Sequence, residues 1–294
     1  MQKKTVIIIG AGPAGLTAAL QLKRGGISVL LLEGAYAGGL LYNANLVENY
    51  PGFPRGVRGP KLVNLFRKQA EHVGVEILFE KVISLDYNGE NFIATTIKNE
   101  YFAKVAIIAS GTKARKFDDR LIESGAKTRV FYEVRDLLNV ADKEIIIVGA
   151  GDAAFDYALN LARQNRVTIL NRGTRIKALD LLQARVAENE NIVYVENAPI
   201  KRVAVLDESC LRVDVVFQHD VEELHASSVL GALGRIPNLD FLAPEIQSKE
   251  KELTARGILY FIGDVRNGIF RQTAISAGDG LRAAMEIERF FKEE

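Results

Sequence analysis

The stretch TVIIIGAGPAGLTAA at residues 5–19 returns as EIIIVGAGDAAFDYA at residues 144–158, with the leading glycines, Gly10 and Gly149, 139 positions apart. An apolar run that ends on glycines and passes at once into a helix-forming run spells strand, tight turn and helix, the grammar of a dinucleotide site. Its repetition predicts an α/β chain with two Rossmann-like dinucleotide-binding domains.

In the first copy the strand Val6 to Ile9 leads into Gly10-Ala11-Gly12-Pro13-Ala14-Gly15 and a helix from Leu16 to Lys23. Gly10 permits the turn, Gly12 lets a pyrophosphate approach the backbone, and Gly15 allows close helix packing, while the helix amino terminus offers N–H groups to phosphate. A second strand, Ser28 to Leu32, ends in Glu33, 18 residues after Gly15. A carboxylate there can accept hydrogen bonds from a ribose diol.

The second copy runs through Ile145 to Val148, Gly149-Ala150-Gly151-Asp152-Ala153-Ala154, a helix Phe155 to Ala162 and a strand Val167 to Leu170. Here the acid is replaced by Asn171, and Arg172, Arg175 and Lys177 follow. That change welcomes a 2′-phosphate and favours NADP over NAD. Two dinucleotides in one chain suggest a resident flavin and a visiting nicotinamide coenzyme, because a flavin accepts hydride and can release electrons in ones or twos.

The bulk properties narrow the remaining classes. The 294 residues suffice for two domains, and 38 Lys plus Arg against 37 Asp plus Glu leave a net charge of +1, with no general attraction to nucleic acid or membrane. MQKK followed at once by a strand lacks the apolar stretch of a secretory signal, so the expected location is cytoplasmic. The single cysteine, Cys210, excludes an internal disulfide and a thiolate metal cluster and is expected to be a small buried hydrophobe in a strand. His72, His219 and His225 are scattered without metal-ligand spacing.

The segments GAGPAG at 10–15, GGLLYNANLVENYPGFPRGVRGPKL at 38–62, GAGDAA at 149–154 and GDVRNGIFRQTAISAGDGLRAA at 263–284 resemble the thioredoxin reductase branch of the two-dinucleotide-domain flavoproteins, over essentially the whole chain. The resemblance implies an FAD-binding domain from residues 1–113 and 235–294, interrupted by an NAD(P)-binding domain at 114–234. It implies that Glu33 holds the ribose, that Val82 lies near the adenine, and that Gly39, Leu41, Asn49 and Gly111 line the flavin. Asp264 would bond the ribityl chain, and Arg271, Gln272 and Thr273 would approach the pyrimidine edge at the amino end of the last helix. Gly149, Gly151, Asp152, Ala153, Asn171, Arg172 and Arg175 would hold NADPH. The Gln usual after the double glycine is Leu40 here. A homodimer is also implied.

Thioredoxin reductases carry Cys-x-x-Cys-Asp with its last cysteine 14 residues before the second glycine fingerprint, and that position is Arg135. This chain reads Tyr132-Glu133-Val134-Arg135-Asp136 there, with both thiols gone. Disulfide reduction needs an attacking thiolate and a resolving thiol. The surrounding sequence is similar to the ferredoxin-NADP reductases built on this fold, which move single electrons between an iron-sulfur protein and NADP and need no protein thiol. Those usually add a carboxyl-terminal extension whose aromatic ring covers the flavin, whereas this sequence closes on FFKEE.

The expectation is an FAD-dependent NADPH oxidoreductase serving a ferredoxin-like or small-molecule acceptor, with Tyr132, Arg135 and Asp136 as candidate residues near the flavin. Arg55, Arg58, Lys61, Lys113, Arg115 and Lys116 would supply a basic face for an acidic ferredoxin. Two alternatives stay open: a flavoprotein fed by a donor other than pyridine nucleotide, and a non-catalytic flavin-binding regulator.

Overall fold

The computed structural model describes residues 3–218 and 220–293. His219 lies outside the described residues. Two compact units emerge, one from Met1–Tyr42, Val47–Lys113 and Ile236–Glu294, the other from Asn43–Leu46 and Ala114–Arg235. The second unit begins and ends within one residue of the inserted domain read from the sequence. It also takes four residues, 43–46, that the sequence reading placed in the FAD-binding domain.

In the first unit β1 (Lys3–Ile9), α1 (Pro13–Arg24), β2 (Val29–Leu32), α2 (Gly59–His72) and β3 (Ile77–Leu78) are followed by β4 (Val82–Tyr87), β5 (Phe92–Thr96) and β6 (Glu100–Ile108). Strands β3, β2, β1 and β6 lie parallel. Val6, Ile7 and Ile8 are wholly buried, as expected of a parallel strand covered on both faces. The long β6 pairs with β1 along one edge; on its other edge Glu100 to Ala103 pair antiparallel with β5, which in turn pairs with β4. After β7 (Thr112–Ala114) the chain leaves for the second unit.

That unit contains β8 (Val130–Phe131), β9 (Glu144–Val148), α3 (Asp152–Leu161), β10 (Arg166–Leu170), α4 (Asp180–Ala187) and β11 (Ile192–Val195). Strands β12 (Ile200–Val205), β13 (Leu211–Phe217) and β14 (Asp220–Ala226) precede β15 (Ser228–Gly231). A sheet in the order β11-β10-β9-β15-β8 faces a separate antiparallel sheet β12-β13-β14. Strand β9 shows how the layers form. Ile145 and Ile147 pack with Phe155 and Leu161 of α3, while Ile146 and Val148 pack with Val203 and Val213 of the antiparallel sheet. Successive side chains of a strand point to opposite faces, so one apolar run glues both layers and the ββα sandwich follows.

The chain returns through β16 (Arg235–Pro237), which pairs with β7, and closes the first unit with α5 (Pro244–Ala255), β17 (Leu259–Phe261) and α6 (Thr273–Glu293). Strand β17 adds to the carboxyl half of β6 in parallel. Helix α6 crosses α1 so closely that a Cβ on Gly280 would lie 2.2 Å from the Ala14 carbonyl oxygen. Among the described residues, no helix is long and apolar enough to cross a membrane.

Candidate functional site

The first glycine turn is shaped by backbone contacts. Gly10 has φ +106°, and its N–H donates to the Leu32 carbonyl at 2.8 Å. Gly12, by contrast, faces open space: a Cβ there would meet nothing within 4 Å. Helix α1 starts beside it with no side-chain cap. An uncapped helix amino terminus beside an open glycine is an anion cradle. The Glu33 carboxylate accepts N–H groups of Ala11 (2.8 Å) and Ala35 (2.9 Å), which ties the turn to the loop after β2. Each oxygen retains an acceptor position for a ribose hydroxyl.

A cleft of ≈ 500 Å³ opens at this strand edge, lined by Gly10, Glu33, Lys81, Val82, Ser110 and Asn238 among others. Its size is that of a small-ligand site, and with the pyrophosphate cradle it fits the adenosine half of FAD. Gly39 (φ +53°) approaches Gly12, Leu41 is buried, and the Asn49 amide donates to the Gln272 carbonyl oxygen at 2.8 Å. Gly111 (φ +62°) accepts the Asn238 N–H at 3.0 Å. Asp264 accepts the Ser276 hydroxyl at 3.1 Å, and Arg271 and Gln272 lead into Thr273, the first residue of α6.

Asp279, which the sequence reading passed over, accepts the Gly263 N–H (3.1 Å) and the Asn267 amide (2.6 Å) and so holds the loop between β17 and α6.

In the second unit a Cβ on Gly149 would lie 2.5 Å from the Ala232 carbonyl oxygen, while Gly151 is open. The basic loop folds back on this turn: the Lys177 N–H donates to the Ala150 carbonyl (2.7 Å) and the Leu179 N–H to the Asp152 carboxylate (2.9 Å). Arg172, Arg175, Lys177 and Ala153 are exposed. Asn171 is buried and works inside the loop, its amide donating to the Tyr194 hydroxyl (2.9 Å) and the Arg175 carbonyl (3.2 Å).

Tyr132, Arg135 and Asp136 follow β8. The Tyr132 hydroxyl accepts the Phe117 N–H at 3.2 Å, and burial raises its phenol above the ordinary value. Arg135 pairs with its neighbour Asp136 at 3.4 Å. Between them, Glu133 pairs with Arg235 at 2.9 Å and accepts the Asn43 amide at 2.5 Å. Beside this pair the buried Tyr157 phenol is pushed up to about 12, chiefly by burial and then by the Glu133 charge.

Cys210 sits in a turn before β13 and is only half-buried, rather than inside the strand as expected; the Asp207 carboxylate accepts its N–H at 2.8 Å and fixes the turn. Among the bases expected to meet a ferredoxin, Lys113 is paired with Asp240, and Arg55, Arg58, Lys61, Arg115 and Lys116 are exposed. His72 and His225 are exposed, and no group of three metal-ligating side chains occurs among the described residues.

Asp156 of α3 holds the segment 43–46, accepting the Asn45 N–H at 2.9 Å while Arg163 donates to the Asn45 side chain at 2.6 Å. Burial pushes its carboxyl from 3.8 up to about 6, against the downward pull of the Asn45 and Leu46 N–H groups and Arg163. Ionising Asp156 therefore costs stability above about pH 6, and the cost vanishes below the unfolded value near 4. Asp156→Asn, which still offers an acceptor to Asn45, is expected to stabilise the protein at pH 8 by up to ~3 kcal/mol. Urea unfolding at pH 8 and at pH 5 should show the advantage shrinking at the lower pH.

A family model described as pyridine nucleotide-disulphide oxidoreductase matches residues 4–280. Thioredoxin reductase of Chlamydia pneumoniae is 32% identical over 307 residues, covering 97% of this chain and 98% of that protein. The crystal structure of Lactococcus lactis thioredoxin reductase in its FR conformation matches with a TM-score of 0.86 at 28% identity, over 99% of this chain and 100% of the other. T. acidophilum thioredoxin reductase matches with a TM-score of 0.83 at 25% identity, over 99% and 100%.

Proposed function

The chain belongs to the pyridine nucleotide-disulphide oxidoreductase family, and we propose that it is an FAD enzyme that oxidises NADPH and passes the electrons to a ferredoxin-like or small-molecule acceptor without a protein dithiol. The observation that carries this reading is the pairing of two glycine cradles with the sequence Tyr132-Glu133-Val134-Arg135 in a chain whose one cysteine lies in a distant turn. Bound FAD supplies a group that takes two electrons as hydride and can give them up singly.

The residues themselves bind and orient. Gly12 and the α1 amino terminus receive one pyrophosphate and Glu33 its ribose. Gly151 and the α3 amino terminus receive the second, and Arg172 and Arg175 meet the 2′-phosphate. Hydride transfer needs alignment more than acid–base help, so positioning supplies most of the rate.

The test is anaerobic mixing of the yellow holoprotein with NADPH or NADH while flavin absorbance is followed. Rapid bleaching by NADPH is expected. Two charged hydrogen bonds are at stake in the double variant Arg172→Ala/Arg175→Ala, so its NADPH affinity should fall about a hundredfold or more, with NADH little changed. Flavin that dithionite reduces but neither nucleotide does would overturn the proposal in favour of another electron donor.

A further inference from the structure

The parallel strands of the second unit end along one edge, and ligands of such sheets lie outside the carboxyl ends of their strands. The glycine turn follows β9, in the middle of the order β11-β10-β9-β15-β8. On its β10 side stands the basic loop of Arg172 and Arg175. On its other side stand Glu133, two residues beyond the end of β8, and Arg235, four beyond the end of β15. A dinucleotide lying across the turn with its 2′-phosphate on the basic loop must extend its other half toward Glu133 and Arg235.

The chemistry at that end suits a primary carboxamide. Glu133 and Arg235 form an ion pair at 2.9 Å with side chains 21% and 17% exposed, so the pair is sheltered yet reachable. The Asn43 amide donates to the other Glu133 oxygen at 2.5 Å. These bonds use one acceptor position on each carboxylate oxygen and leave a second on each. Asn43 is 2% exposed, so it braces the Glu133 carboxylate from the buried side and leaves the outer lone pairs to a ligand. The site therefore combines spare acceptors for an amide NH2 with a neighbouring guanidinium that can donate to an amide carbonyl.

We propose that Glu133, with Asn43 and Arg235, binds the carboxamide of the nicotinamide ring and so fixes the orientation of that ring. The proposal rests on the NADPH reading above and adds a ligand-binding role at the position where the resembling reductases carry the interior of their cysteine motif.

Calorimetric titration of the oxidised holoprotein tests it with three ligands: NADP+, 2′-phospho-ADP-ribose, which lacks the nicotinamide, and the 3-acetylpyridine analogue of NADP+, which lacks the NH2 donors. Wild type should bind NADP+ more tightly than the acetylpyridine analogue. Glu133→Ala should weaken NADP+ about tenfold, the worth of one charged hydrogen bond, erase the preference over the analogue and leave 2′-phospho-ADP-ribose within about twofold. Glu133→Gln, which keeps size and one acceptor, should recover part of the NADP+ affinity and guards against a folding defect. Equal losses for NADP+ and 2′-phospho-ADP-ribose, or no loss for either, would overturn the assignment. If wild type bound neither nucleotide, the NADPH reading itself would fall and this one with it.

Discussion

Gly15→Ala is expected to give a colourless, poorly folded protein, and Gly12→Ala a colourless protein that folds. The two glycines stand three residues apart in one fingerprint but face different neighbours. A Cβ on Gly15 would lie 1.9 Å from the Gly10 carbonyl oxygen and 3.3 Å from the Ala109 side chain. Neither can yield cheaply, because Gly10 is itself pressed on Ala109 and held at φ +106°. The helix would have to lift from the sheet, at a cost of about 3 kcal/mol or more.

Gly12 has φ −75° and open space where its Cβ would go. Alanine there should cost at most about 1 kcal/mol as a poorer helix cap. What it obstructs is the approach of a pyrophosphate to the α1 amino terminus. The flavin-to-protein ratio after gel filtration, read beside the melting temperature, separates the two effects. A Gly12→Ala protein that kept full flavin and full stability would refute the assignment of this turn as the FAD cradle.

Both strand-turn-helix units, β1–α1 and β9–α3, were legible in the sequence because such units are local. Val6 to Ile9 and Ile145 to Val148 carry their burial in their own composition, and the glycines mark where each strand stops. The discontinuity of the first unit was read from the resemblance, whose segments at 10–15 and 263–284 flank a complete second fingerprint at 149–154.

What was not legible depends on pairings between distant residues. Glu133 and Arg235 meet only because β8 and β15 both add to the same sheet, which no spacing announces. Asn171 illustrates a different blindness. Its place at the end of β10 is the place of a ribose ligand, yet its amide closes the loop that presents Arg172 and Arg175. Residues 43–46 read as part of the flavin-side segment, and only the Asp156 carboxylate and Arg163 reveal that they belong with α3. Cys210 read as strand, but an Asp207 side chain that captures the N–H groups of Ser209 and Cys210 turns the chain there first.

The largest functional contrast is expected between electron acceptors. With NADPH as donor, the holoprotein should reduce ferricyanide or a ferredoxin steadily, two acceptor molecules for each NADPH oxidised and one proton released. It should reduce thioredoxin and small aromatic disulfides no faster than a blank. The reason is stoichiometric: a disulfide substrate must be attacked by one thiolate and the mixed disulfide resolved by another, and this chain holds a single thiol.

Where the resembling reductases carry their cysteines, Tyr132 is packed against Phe117 with its hydroxyl accepting a backbone N–H, and Arg135 is turned to Asp136. Cys210 lies instead beside the antiparallel sheet, its thiol 3.5 Å from the Leu211 carbonyl oxygen. Cys210→Ser should therefore leave NADPH-driven ferricyanide reduction unchanged. Disulfide turnover abolished by Cys210→Ser would reverse this conclusion and give that one thiol the attacking role, with the resolving thiol supplied from outside the chain.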